Sequence, residues 1–259
     1  MYYFFGNIPF LALPRTQIWS LIPCPILITK TIAYKYKSDT SRFRIPIMFP
    51  IGDDNSGRKL FPVITYALIA LNVLFFLVEL IGGDLFIETW AFVPVRFLAN
   101  PGGDFLTIFT SMFMHAGWVH IGGNMLYLWI FGDNVEDRFG HLRYLAFYVL
   151  CGIAATFAQL AFSMGSDVPN LGASGAIAGV LGAYMLLFPK RRVTVLLGYA
   201  VVQMPALMVI GFWIVLQFFS GIGSIAVSVD TGGVAYMAHI GGFIAGLVLA
   251  LLLRGRRVA

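Results

Sequence analysis

Two polar side chains lie in apolar runs of this chain where they could form a proton-transfer pair. Ser174 stands among small residues at the start of an apolar run that continues to Pro189. His239 lies in a second apolar run, seven residues after Gly232, which is about 10 Å along a helix. Serine is a poor nucleophile until a base takes its proton, and neutral imidazole suits that task near pH 7. The two residues therefore predict a nucleophile, Ser174, and its general base, His239.

Attack of a serine on an amide also requires hydrogen-bond donors for the oxyanion that forms. His120 and Asn124 are four residues apart and share one helix face, so both side chains can supply donors. The Ser174 backbone N–H lies at a predicted helix N-terminus, where amides are free and the dipole is positive. No Asp or Glu lies within the third to sixth apolar runs. A Ser–His dyad is therefore the catalytic unit that the residues predict.

The composition indicates that lipid is the solvent of most of this chain. Of its 259 residues 59% are hydrophobic and 11% are charged, and the mean hydropathy is +0.85. Soluble domains carry about 25% charged residues. The net charge of +5 is thus no signal for nucleic acid. Cys24 and Cys151 suggest no disulfide framework.

The apolar runs predict an all-α membrane protein with six transmembrane helices. Arg96 is the one Lys or Arg, of 17 in the chain, that falls between runs on the outer side. Because basic residues collect in the cytoplasm, the positive-inside rule places both termini there. The predicted spans are 61–82, 117–135, 142–163, 172–188, 203–222 and 232–253.

In this topology the second, fourth and sixth spans run in the same direction and carry their polar groups in the outer half of the membrane. Such groups are costly in lipid and face a bundle interior or a water-filled cavity. The loop at 83–116 is long, outer and rich in aromatic residues, which predicts an element lying in the membrane interface.

Small residues recur every four positions on the fourth and sixth spans, a pattern that lets helix backbones approach closely. If these two faces meet, Ser174 and His239 reach hydrogen-bonding distance. The stripes comprise Gly175, Gly179 and Ala183, and Ala238, Gly242 and Gly246.

The N-terminal part differs from the rest of the chain. Residues 1–47 are apolar but interrupted by prolines, which predicts a poorly ordered extension at the cytoplasmic membrane surface. An alternative hypothesis is that Met48 is the natural start. The predicted organisation continues with a cytoplasmic lead-in at 48–60, the membrane domain at 61–253 and a basic cytoplasmic tail at 254–259.

Three sequence motifs in order resemble the rhomboid intramembrane serine proteases, over roughly residues 48–253. The resemblance implies that Ser174 is the nucleophile, that His239 is the base, and that His120, Asn124 and the Ser174 amide form the oxyanion hole. It also implies cleavage of other proteins' transmembrane helices near their outer ends, after a small residue, without metal or cofactor. The motifs are Gly172-Ala173-Ser174-Gly175, Ala238-His239-Ile240-Gly241-Gly242, and the run from His115 to Asn124.

At some motif positions we expect a structural role and not a catalytic one. Position 178, where many members of the family have an aromatic residue that packs on the histidine ring, is alanine. Glu136 and Arg138, in a run that is similar to the family's inner end of the second helix, predict a structural polar network. Gly172 and the stripe glycines are expected to serve packing.

Other functions fit the sequence less well. The chain has no His-Glu-x-x-His motif, and its outer-half polar groups include no carboxylate or thiolate, which argues against a metal site. No pair of membrane aspartates and no inverted repeat points to an aspartyl protease or a transporter. The alternative that stays open is a non-proteolytic binder of transmembrane helices. The expected partners are transmembrane substrates and the lipid bilayer, and the compact form predicts a prokaryotic plasma membrane.

Overall fold

The computed structural model describes residues 48–227 and 235–254 and is mostly helical. The extension at 1–47 and most of the basic tail lie outside the described residues, and the alternative start at Met48 stays a prediction. In chain order the elements are β1 Met48–Asp53, α1 Val63–Trp90, α2 Pro94–Ala99, α3 Thr107–Thr110 followed by a 3-10 turn Ser111–Phe113, α4 Trp118–Phe139, α5 His141–Phe162, α6 Ser174–Leu187, β2 Arg192–Leu197, β3 Ala200–Pro205, α7 Ala206–Val227 and α8 Tyr236–Leu253.

A helix lies at the place of each predicted span, but the helices differ in how well they suit a membrane. Four of them, α1, α5, α7 and α8, are long and apolar enough to cross a bilayer. Helix α6 is apolar but has only 14 residues. Helix α4 is the most polar of the six because its last turns carry Asp133, Glu136, Asp137 and Arg138.

Helix α6 lies at the centre of the helical layer. Every residue from Gly175 to Tyr184 is buried, which explains why this helix is apolar on all sides. Helix α8 packs directly on it, since a side chain at Gly242 would overlap the Gly175 carbonyl. Helix α5 covers another face, where a Cβ at Gly179 would stand 2.5 Å from the Cys151 sulfur. Glycine is therefore required where three helices meet.

The segment between α1 and α4 is largely helical and has its own small core. Helix α1 continues to Trp90, past the predicted end at 82, with an interruption at Gly83, whose φ of 59° suits glycine. Arg96 fastens the segment, because its Nε donates to Asp104 at 2.7 Å and its Nη2 donates to the Ala91 carbonyl at 2.6 Å. The core beneath consists of Phe92, Phe97, Ile108 and Leu160.

A three-stranded antiparallel sheet, in the order β1-β2-β3, corrects the expectation of an all-α fold. Strand β1 pairs Phe49 with Leu196, and β2 pairs Val195 with Val202. Val193 and Val195, which are two residues apart on β2, are both fully buried. A period of two is the pattern of a strand with one buried face. The fifth predicted span consequently begins as a strand, and its helix starts at Ala206.

The start of α1 is held against the end of α4 by a buried carboxylate. Glu136 accepts hydrogen bonds from the backbone N–H groups of Ile64 and Thr65, at 2.8 and 2.7 Å. These amides belong to the first turn of α1, where they have no partner within the helix and favour an anion. Arg138 instead donates to the Arg254 carbonyl. Glu136 and Arg138 thus take different partners.

A second polar contact joins the sheet to the helices. Asp53, at the end of β1, accepts a hydrogen bond from the Tyr184 hydroxyl at 2.5 Å and one from Asn134 Nδ2 at 2.8 Å. Burial is the largest influence on this carboxyl and raises the pKa of Asp53 to about 6. The Asp53 carboxylate is therefore bound at some cost in desolvation.

Candidate active site

Ser174 and His239 lie within hydrogen-bonding distance of one another. Ser174 is the first residue of α6, and His239 lies one turn into α8. The close packing of these two helices places the Ser174 Oγ 2.8 Å from the His239 Nε2. This separation suits transfer of the hydroxyl proton to the imidazole.

Gly172 shapes the loop that leads into Ser174. Its N–H donates to the Ser111 carbonyl at 2.8 Å, which fixes the loop against the 3-10 turn. Its φ of 130° is a conformation that other residues rarely adopt. A Cβ at this position would lie 3.0 Å from the His120 ring and 3.6 Å from the Ser174 Oγ. Glycine here therefore lets the loop, the serine and His120 come together.

Gln217 lies next to the imidazole nitrogen that Ser174 does not contact, and the sequence analysis missed this residue. The His239 Nδ1 lies 2.8 Å from the Gln217 Oε1. Both residues are buried, with exposed fractions of 5% and 7%. The available signal was an amide side chain in the interior of the fifth apolar run, but no motif or spacing related it to His239.

The face of the His239 ring is covered by Trp213, one helical turn before Gln217 on α7. The two ring centroids are 5.8 Å apart and the planes are inclined by 39°. Ala178, the position where an aromatic contact was expected from the resemblance, is fully buried on α6. An aromatic residue therefore lies beside the histidine after all, but it comes from a different helix.

His120 is held so that one ring nitrogen is free to donate. Its Nδ1 accepts a hydrogen bond from the Ala116 N–H at 3.3 Å. The proton of the neutral ring consequently belongs on Nε2, the nitrogen that lies nearest to Gly172. The neighbouring His115 ring packs at 5.1 Å from it, and the His115 N–H donates to Glu79 at 2.9 Å. His115 thus supports the loop from the side of α1.

Asn124 contributes a buried donor. Its side chain has an exposed fraction of 2%, and within the part of the chain that the structure describes its Nδ2 has no hydrogen-bond partner. An unpaired buried amide group costs about 1–3 kcal/mol. Such a cost is often found at functional sites, where the donor serves an acceptor on the substrate.

A small pocket of about 40 Å³ opens beside Ser174. Gly152, Ala155 and Ala176 form small-residue walls, while Thr156 and Gln159 contribute polar groups. The Gln159 Oε1 also accepts a hydrogen bond from the Ala238 N–H at 3.2 Å. The pocket has room for a small side chain next to the serine hydroxyl.

Four membrane-length helices define a multi-pass integral membrane protein, and its Ser174–His239 pair is partly buried. Comparison with known proteins identifies its family. The rhomboid domain profile matches residues 102–256, and the chain belongs to the rhomboid family.

Several curated relatives are similar to this chain. Rhomboid protease GluP of Bacillus subtilis is 33% identical over 196 residues, covering 74% of this chain and 35% of GluP. Rhomboid protein 1, mitochondrial, of Saccharomyces cerevisiae is 28% identical over 193 residues, covering 71% of this chain and 51% of the relative. RHOMBOID-like protein 5 of Arabidopsis thaliana is 30% identical over 151 residues, covering 58% and 45%. The chain thus spans about a third to a half of the length of these relatives.

Proposed function

We propose that this protein is an intramembrane serine endopeptidase that cleaves transmembrane helices of other membrane proteins through a Ser174–His239 dyad. The observation that carries the proposal is the 2.8 Å contact between the Ser174 Oγ and the His239 Nε2 inside a bundle of membrane-length helices. Similarity to a relative named as a protease supports the same reaction class.

The reaction begins when His239 takes the Ser174 proton as the oxygen attacks the carbonyl carbon of the scissile amide. The carbonyl oxygen becomes an oxyanion, which the Ser174 N–H, the Asn124 Nδ2 and the His120 Nε2 stabilise. His239 then gives its proton to the leaving amine, and an acyl-enzyme forms. A water molecule, deprotonated by His239, hydrolyses this ester and regenerates the serine.

The topology that accompanies the proposal has six spans with both ends in the cytoplasm. In that arrangement Ser174 lies in the outer half of the membrane, and water reaches it from outside. A helical substrate must unwind locally, because its amides are hydrogen-bonded and shielded. We therefore expect faster cleavage of substrates with Gly, Pro or polar residues near their outer boundary, after a small residue that fits the pocket beside Ser174. The proposed location is a prokaryotic plasma membrane.

The test is cleavage of a transmembrane reporter by the purified full chain in detergent. Wild type is compared with Ser174→Ala and His239→Ala, and all three are labelled with a fluorophosphonate probe that reacts with activated serines. Cleavage and labelling in wild type, lost in both variants, support the proposal. Cleavage that survives Ser174→Ala contradicts the mechanism. A folded wild type that neither cleaves nor labels favours the non-proteolytic binder of transmembrane helices.

A further inference from the structure

We propose that Gln217 is a positioning residue that holds the His239 imidazole in the tautomer and orientation needed to accept the Ser174 proton. This inference rests on the proposed function. It assigns a third side chain, from a third helix, to a site for which the sequence predicted only a dyad.

The hydrogen bond between Gln217 and His239 determines which ring nitrogen carries the proton. An amide oxygen can only accept, so the Gln217 Oε1 at 2.8 Å from the His239 Nδ1 requires a proton on Nδ1. The Nε2 then presents its lone pair to the Ser174 hydroxyl, 2.8 Å away. A Gln217 amide rotated by 180° would present NH₂ to Nδ1 and leave the proton on Nε2. Such a ring cannot accept the serine proton.

Helix α7 contacts the imidazole in two independent ways. Trp213 covers the ring face at a centroid distance of 5.8 Å, while Gln217 binds the ring edge. The two side chains are four residues apart on α7, so both project from one face of that helix. This arrangement fixes both the tilt and the rotation of the ring. Neither contact comes from α6 or α8, which carry the dyad itself.

Gln217 is uncharged, which distinguishes this site from a catalytic triad in which a carboxylate binds the histidine. Within the described residues, His120 on α4 is the titratable side chain near His239, and its neutral ring adds no net charge. A carboxylate at position 217 would stabilise the imidazolium, whereas an amide orients the ring with no net charge. We therefore expect Gln217→Glu to change the pH dependence of the reaction of Ser174.

The experiment uses the fluorophosphonate labelling rate of the purified full chain as a function of pH, which requires no knowledge of the substrate. Gln217→Met removes the acceptor at nearly constant volume, and Gln217→Glu keeps an acceptor in the same shape. We expect Gln217→Met to label roughly 10- to 100-fold more slowly, the order of loss that follows from a misplaced catalytic group. We expect Gln217→Glu to label faster than Gln217→Met, with the acid limb of its profile moved to higher pH. Gln203→Met, on β3, is the control and should match wild type.

Cleavage kinetics and the histidine tautomer complete the test. On a reporter, Gln217→Met should lower kcat and leave KM unchanged, because Gln217 does not touch the substrate. In wild type, ¹⁵N NMR of labelled histidines should show the proton of neutral His239 on Nδ1, and this readout does not depend on any variant folding. Superimposable rates and pH profiles for wild type, Gln217→Met and Gln217→Glu, or a proton on Nε2, would overturn the inference. Absence of labelling in wild type would instead count against the proposed function.

Discussion

Gly246 of α8 lies against the backbone of Gly179 of α6, so that a Cβ on Gly246 would overlap the Gly179 carbonyl oxygen and stand 2.5 Å from its Cα. One helical turn earlier, Gly242 makes the same kind of contact with Gly175. Ser174 immediately precedes Gly175, and His239 lies one turn before Gly242 on α8. The distance between the dyad residues is therefore set by contact between two backbones.

Gly246→Ala should destabilise the protein and slow fluorophosphonate labelling of Ser174. The added methyl has no space, and overpacking of this kind costs about 1–3 kcal/mol. Thermal unfolding in detergent and the labelling rate measure the two effects. The matched control is Gly211→Ala on α7, where a Cβ meets no atom within 4 Å and alanine should be neutral or slightly stabilising. Equal melting temperatures for the two variants would contradict the backbone contact.

Asn124→Leu should lower kcat by about 10²- to 10³-fold, the usual cost of an oxyanion donor, with little loss of stability. Its Nδ2 has no partner among the described residues, so leucine of similar shape breaks no hydrogen bond of that group. The measurement pairs reporter cleavage with thermal unfolding.

Asn134→Leu is the natural comparison, because Asn134 is also 2% exposed and lies on the same helix. Its Nδ2 lies 2.8 Å from Asp53 and 2.6 Å from Asn55. We expect this variant to lose stability while its folded fraction keeps the wild-type labelling rate. The assignment of Asn124 fails if both variants lose stability and activity in the same proportion.

Trp213→Ala should slow labelling of Ser174 because it uncovers the face of the His239 ring. Trp213→Phe keeps an aromatic ring and should retain most of the rate. Phe219→Ala removes a ring from the same helix at a side chain that is 67% exposed, and it should behave like wild type. A Trp213→Ala variant with the full labelling rate would show that Trp213 has no influence on the histidine.

The stability of the protein should depend on pH through Asp53. Burial raises the pKa of Asp53 from its ordinary 3.8 to about 6, so the folded state holds this proton more tightly than the unfolded state does. The stabilisation from the protonated form is present below pH 4 and is lost as pH rises to about 6. Asp53→Asn removes this titration. The melting temperature of wild type relative to Asp53→Asn should fall between pH 4 and 6 and then level off, and a difference independent of pH would refute the assignment.

Hydropathy located the six helices α1 and α4 to α8, because each contains a sustained apolar run whether it faces lipid or the interior. The small residues around Ser174 and His239 indicated only that the two helices could approach closely, and the structure brings these faces of α6 and α8 together. Both features are local in sequence, and this is why they could be read directly.

The features that sequence reasoning missed depend on contacts between distant segments. Gln217 and Trp213 lie in the fifth apolar run, where nothing in their spacing relates them to His239 on another helix. Ala178 shows the same limit, since the aromatic residue that lies beside His239 comes from α7. The sheet was missed because Met48–Asp53 pairs with Arg192–Leu197 across the six intervening helices α1 to α6.

That sheet also has a consequence for the order of synthesis. Strand β1 leaves the ribosome before residues 54–191, yet its pairing partner β2 comes after them. Until β2 is made, the backbone groups of β1 lack their strand partner. Pairing at such long range is entropically costly and slow to form. The sheet is thus completed only after α6 has been translated, at a stage when α7 and α8 still have to follow β3.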